Sequence, residues 1–249
     1  RTGTTSNLSG TTYHTPVDLP RGSRKQIFVY VSIEGFTQNI QVDVLDRDDN
    51  VVANESTSAK LLEQNVVLAG VITDSAFGAV DLTGSTPGSG GAVQFSWQHD
   101  DIPPLAQALT GIDVLMFHDV DTGTLSAEQV AALEGWLLSG GHLIVTGGDP
   151  WQRTTAGLAS LLPVSTQGTI PVESLRPLAD YLHVSGADLD EETTVTRTQP
   201  SARADVLVEV DGWPLVVRSQ SGSGIVDFVT VDPNAEPLRS WDDADRLWY

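Results

Sequence analysis

Cysteine is absent from all 249 residues. That removes disulfides, thiolate metal sites, iron–sulfur clusters and thiol nucleophiles together. Lysine is nearly absent: Lys25 and Lys60 are the only two, and the rest of the 13 basic residues are arginines. Set against 33 Asp and Glu, they leave a formal net charge of −20 and a pI near 4.3. Non-specific nucleic-acid binding draws its affinity from Lys and Arg neutralising phosphates, so no nucleic-acid partner is expected. An anionic membrane surface repels such a chain for the same reason. No run approaches the roughly 18 apolar residues that span a bilayer. The chain starts at Arg1 and stops at Arg246-Leu247-Trp248-Tyr249, inside what reads as an amphipathic helix. We therefore expect a fragment whose signal peptide or membrane anchor lies outside it.

What is present has globular proportions. The chain is 40% hydrophobic and 18% charged, far from the low-hydrophobicity profile of a disordered chain. Residues 1–60 read as β. Gln26-Ile27-Phe28-Val29-Tyr30-Val31 has strong strand propensity, and Ile40 to Leu45 alternates apolar and polar. Asp46 to Asn50 is a turn, Val51-Val52-Ala53 a short strand, and Asn54 to Ser58 a polar connector. These predict a small, truncated β-sandwich-like module.

From residue 61 to 249 the pattern changes to α/β. Val66 to Ile72 is a continuous apolar run, as a strand buried on both faces requires. Val93 to Trp97, Ile112 to Phe117 and His142 to Thr146 are three further strands. Between the last two lies a helix with a capping box at Ser126 and Gln129, an apolar face of Val130, Leu133 and Leu137, and a Gly140-Gly141 stop. Strand, helix and strand joined by short connections make a βαβ unit with parallel strands. Asp149-Pro150 reads as the N-cap of a helix from Trp151 to Leu162. Residues 165–200 read as irregular. Val206 to Val210 and Pro214 to Val217 form a hairpin about Asp211-Gly212, Ile225 to Val231 a last strand, and a final helix begins near Trp241.

The segments Gly111 to Asp121 and Leu125 to Gly148 resemble class I glutamine amidotransferase-like domains. More narrowly, they are similar to those of uncharacterised bacterial membrane proteins, in which the domain follows a β-sandwich and precedes transmembrane helices. Val17 to Lys25, Asp211 to Val217, Gly222 to Val226 and Asp232 to Trp241 fit the same likeness. It implies an α/β fold with a mostly parallel sheet flanked by helices, glutamine amidotransferase-like and flavodoxin-like. It also implies an extracytoplasmic location, tethered to the cell membrane. Catalytic members carry a cysteine on the turn after the fourth strand, with His and Glu after a late strand. Here that turn is Thr146-Gly147-Gly148-Asp149, the late strand ends Val231-Asp232-Pro233, and no histidine follows His183. The likeness therefore implies a domain without amidotransferase activity.

The candidate site residues are those at strand C-terminal ends, where open α/β sheets bind ligands. His118, Asp119 and Asp121 follow one strand; Gly147, Gly148 and Asp149 follow the next. Imidazole and carboxylate can hold a divalent metal, but no H-x-x-x-H or similar ligand spacing is present, and solvated loop acids beside a capping histidine are the plainer reading. Gly147-Gly148-Asp149-Pro150-Trp151 makes a strand-to-helix turn, where the free amides of a helix N-terminus can hold an anion, yet an Asp149 cap would occupy them and repel it. No cofactor and no metal are expected. The reading that results is a non-catalytic extracytoplasmic domain of a membrane-anchored protein, binding a small molecule or a protein. A metal-dependent hydrolase using His118, Asp119 and Asp121 is one alternative, and a structural spacer in an envelope assembly another.

Overall fold

The computed structural model describes residues 12–25, 27–31, 39–59, 61–84 and 90–248. The chain divides into two compact units, Arg1–Gln64 and Asn65–Tyr249.

In the first unit, β1 (Asn39–Leu45) and β2 (Val51–Ser58) form an antiparallel hairpin. The turn is set by Asp46, whose carboxylate accepts hydrogen bonds from the amides of Asp48 at 2.8 Å and Asn50 at 2.9 Å. The strand β2 continues through Asn54 to Ser58, where a connector was expected. Backbone pairing with β1 extends it although every one of its side chains is exposed. Residues 27–31 are irregular despite their strand propensity, and Gln26 lies outside the described residues. A sandwich needs two packed sheets. Among the described residues this unit holds one two-stranded sheet, and the second sheet expected of a β-sandwich-like module is not among them.

The second unit opens with β3 (Val67–Thr73), β4 (Ala92–Trp97) and β5 (Val114–His118). Then come α1 (Ala127–Leu138), β6 (His142–Thr146) and α2 (Trp151–Thr155). A two-stranded antiparallel ribbon of β7 (Val164–Val172) and β8 (Thr193–Pro200) encloses α3 (Arg176–Leu182). The chain closes with β9 (Asp205–Val210), β10 (Trp213–Ser221) and β11 (Gly224–Val229). Among the described residues the main sheet has the order β4-β3-β5-β6-β11-β10-β9.

That sheet is mixed, which corrects the mostly parallel, helix-flanked, flavodoxin-like α/β expectation. Strands β4, β3, β5, β6 and β11 are parallel, whereas β11, β10 and β9 are antiparallel. Turn chemistry dictates the reversal. Asp211 and Gly212 both have positive φ, 52° and 81°, as a two-residue hairpin turn requires, and Gly222 at 62° opens a second tight turn. Connections that short permit only antiparallel neighbours. Helical cover is also sparse: among the described residues the α-helices have 12, 5 and 7 residues. One face is covered by α3 with Leu189, Val195 of β8, Leu238, Trp241 and Trp248. The other is covered by α1 with Ile102, Leu109 and Leu158. Residues 165–200, read as irregular, hold β7, α3 and β8, because threonine-rich strands resemble polar loops in composition. The last helix is a 3₁₀ turn over Ala244–Trp248, not an amphipathic α-helix from Trp241.

The α1 helix shows the local logic best. The Ser126 hydroxyl accepts the Gln129 amide at 3.2 Å, and the Gln129 side-chain oxygen accepts the Ser126 amide at 2.8 Å. The Gln129 side-chain amide then donates to the carbonyls of His99 and Ile102, which anchors the helix start to the preceding loop. Ala132, Leu133, Trp136 and Leu137 are buried against the sheet. The Trp136 indole N–H donates to the Ile112 carbonyl at 2.8 Å. Gly140, at φ 118°, takes the turn that leads into β6.

Candidate functional site

From β3 the chain moves outward to β4, then returns across β3 to β5 on its other side. Loops leaving β3 and β5 therefore run to opposite faces, and the C-terminal ends of these two strands are the switch point at which open sheets bind ligands. The residues there are Asp74 and Ser75 after β3, and His118 and Asp119 at the end of β5. The turn Gly147 to Asp149 after β6 and the segment Asp232 to Asn234 after β11 complete the set.

His118 is fully buried. Its Nδ1 lies 3.0 Å from the Thr146 hydroxyl, and its Nε2 lies 2.9 Å from Nδ2 of Asn234. The same Asn234 nitrogen donates to the Gly78 carbonyl at 3.2 Å and to the Ser75 hydroxyl at 3.1 Å. A carbonyl only accepts, so the nitrogen of this amide faces His118 and Nε2 is the acceptor. The proton then sits on Nδ1 and goes to Thr146. Burial holds the imidazole pKa down at about 4, against the opposing pull of the Asp119 charge. His118 is thus neutral at physiological pH, with both ring nitrogens engaged.

Carboxylates ring this histidine. Asp232 lies 3.7 Å from Nε2 and accepts the Asn234 backbone amide at 2.8 Å. Its pKa is raised, mainly by burial and further by the charge of Asp149, while the Asn234 amide works in the other direction. Asp119 has φ 44°, a left-handed conformation uncommon outside glycine. It is held there because its carbonyl accepts from the Asp74 amide and from the Arg153 guanidinium, each at 3.2 Å. Arg153 also pairs with the Asp74 carboxylate at 2.9 Å and approaches that of Asp119 at 3.5 Å.

The glycine turn does not offer free amides. Gly147 donates to the Val229 carbonyl at 2.7 Å, and Gly148 to the Thr230 carbonyl and the Thr196 hydroxyl, each at 2.9 Å. Both glycines are buried by this close approach. At Gly148, φ 74°, a Cβ would stand 2.6 Å from that of Asp232. Asp149 is exposed and does not cap α2; Pro150 holds the N-cap position and makes no side-chain cap. Asp121 turns away to accept the Gly123 amide at 3.0 Å in its own 3₁₀ turn. His118, Asp119 and Asp149 therefore come to the strand ends, whereas Asp121 does not join them. Among the described residues no group of three or more His, Asp or Glu is placed to hold a metal ion.

Sequence reasoning passed over Asp74, Ser75, Arg153, Asp232 and Asn234. The signal available was Asp232-Pro233-Asn234: an Asp whose carboxylate accepts the amide two residues on makes an Asx-turn.

A family model described as a domain of unknown function (DUF7408) matches residues 99–238, more than half of the chain. A second, described as a domain of unknown function (DUF8726), matches residues 2–60. No curated protein matches. Among solved structures, Cytoplasmic Protein STM3548 from Salmonella typhimurium is similar at TM-score 0.52 and 14% identity, over 73% of this chain and 96% of that one. Cytoplasmic Protein STM1381 from Salmonella typhimurium LT2 reaches 0.49 at 16% identity, over 74% and 96%. The Exo-beta-1,4-mannosidase Op5Man5 from Opitutaceae bacterium strain TAV5 reaches 0.45 at 16%, over 73% of this chain and 34% of that one. At 14% identity the likeness to STM3548 carries the fold and not the function.

These matches correct the expected glutamine amidotransferase-like assignment, since the matching families are of unknown function and the fold is shared with the Salmonella protein. They also correct the extracytoplasmic, membrane-tethered expectation. A structure of similar fold is described as a cytoplasmic protein, and no helix among the described residues is long and apolar enough to cross a membrane.

Proposed function

We propose that this chain, which belongs to the family described as a domain of unknown function (DUF7408), is a non-catalytic binding domain that holds its ligand or partner at the ends of β3 and β5. One observation carries the reading: the imidazole at these strand ends has both nitrogens engaged within the fold, by Thr146 and Asn234. An imidazole so committed orients loops; it is not free to take a proton from a substrate. The groups left facing outward are Asp149 and the partly exposed Asp74, Asp119 and Asp232, with Arg153 shared between two of them. Carboxylates outnumber the arginine, so the site favours a neutral polar or cationic ligand over an anion.

Calorimetry with spermidine as the cationic probe and inorganic phosphate as the anionic one tests this. Phosphate is expected to give no heat. Spermidine is expected to bind, and to bind several-fold more weakly to Asp119→Asn. Tight phosphate binding lost in Arg153→Ala would overturn the electrostatic argument. Hydrolysis of ester or amide substrates abolished in His118→Gln would replace the binding reading with a catalytic one.

A further inference from the structure

The side-chain amide of Asn234 shares its two N–H groups among three acceptors on two separate segments: the Ser75 hydroxyl, the Gly78 carbonyl and Nε2 of His118. The first two lie on the loop that leaves β3. The same loop is pinned at its start by Asp74, through its amide to the Asp119 carbonyl and its carboxylate to Arg153. At its middle Phe77 is 69% exposed and lies under the Arg239 guanidinium, 5.0 Å from its ring centre. Over residues 74–79 the tethers are polar or cation–π contacts and the tip at 76–79 is exposed, so apolar burial contributes little until Val80 and Leu82 pack into the core.

We propose that residues 74–78 form a strap across the strand ends, latched by Asn234, and that protonation of His118 releases it. The latch works because unprotonated Nε2 is a hydrogen-bond acceptor. A proton arriving there turns Nε2 into a donor facing the Asn234 N–H at 2.9 Å, so two donors oppose each other and the contact becomes repulsive. The new N–H has another acceptor at hand in Asp232, a carboxyl oxygen of which stands 3.7 Å away. Asn234 must then move, and with it the bonds to Ser75 and Gly78. The charges facing His118 are Asp119, next in the chain, and Asp232, after β11; Thr146, from β6, and Asn234 are uncharged. Because burial holds the imidazole pKa near 4, the strap is shut at neutral pH and opens in acid.

The strap stands at the site of the binding reading and gates it, but its test needs no ligand. The full chain has no cysteine, so Ala76→Cys, at an exposed position, takes a single nitroxide label. Its rotational mobility is measured by spin resonance between pH 7.5 and 3.5. Micromolar protein is used, because the chain nears its pI of about 4.3 in this range. The label is expected to be held at pH 7.5 and to become several-fold more mobile around pH 4. In His118→Gln, which keeps an acceptor for Asn234 but cannot titrate, this rise should vanish. Persistence of the rise in that variant would assign the release to carboxylate titration and overturn the proposal, as would a flat profile in the parent chain. Asn234→Ala provides the arm that leaves the histidine itself in place: the label should already be mobile at pH 7.5. A label still held in Asn234→Ala refutes the latch, whether or not the site binds anything.

Discussion

Replacing Asp227 with alanine should destabilise the second unit more than any comparable change of a surface acid. Asp227 sits on β11, at the junction between the parallel and antiparallel parts of the sheet, and is 5% exposed. Its carboxylate accepts two bonds from Arg218 on β10, at 2.7 and 2.6 Å, and lies 2.8 Å from Nε2 of His142 on β6. One buried side chain thus ties three strands together. Removing one partner of a buried pair costs about 3–5 kcal/mol, because the remaining charge is left without compensation. Arg218 and His142 keep 35% and 21% side-chain exposure, so water relieves part of that loss, and about 2–3 kcal/mol is the expected cost. The pH dependence has a defined sign. Burial by itself raises the Asp227 pKa, but the hydrogen bonds from Arg218 and His142 and their charges outweigh it and the net shift is downward. A carboxyl whose folded pKa is depressed stabilises fully above its unfolded value, near 3.8, and loses that contribution as pH falls through the folded one. The difference between parent and Asp227→Ala should therefore be constant above about pH 5 and shrink below about pH 4. Urea unfolding followed by tryptophan fluorescence reads it cleanly, because all six tryptophans lie between Trp97 and Trp248, in the second unit. A loss under about 0.5 kcal/mol at pH 7, the size of an ordinary surface change, would refute the argument.

Two further substitutions probe the fold around the site. Leu133→Ala, on the buried face of α1, should lower stability by about 2–5 kcal/mol in the same urea assay; a change below about 0.5 kcal/mol would mean that another face of the helix packs on the sheet. Gly148→Ala should lower the melting temperature in a calorimetric scan, because φ is 74° and the added Cβ meets Asp232; an unchanged melting temperature would show that the turn can relax without cost.

Local chemistry was legible from residue order alone. The capping box of Ser126 and Gln129, the glycine stop, the apolar runs of β3 and β5 and the Asp211-Gly212 turn each depend on a few neighbouring residues, and each sits where that chemistry requires. The absence of cysteine excluded thiol chemistry outright. The site was only partly legible. His118, Asp119 and Asp149 were visible as strand-end residues, but the groups that define their environment come from far along the chain: Asn234 is 116 residues from His118, and Arg153 is 79 from Asp74. No local pattern encodes such pairs. Only the order in which strands assemble brings them together, and that order depends on burial summed over the whole sheet. The antiparallel direction of β9 and β10 was local, set by the Asp211-Gly212 turn, whereas the place of this hairpin beside the parallel set, through β11, was a tertiary outcome. The threonine-rich ribbon of β7 and β8 was hidden because polar strands lack the apolar periodicity that betrays a strand, and they form only when a partner supplies the backbone hydrogen bonds.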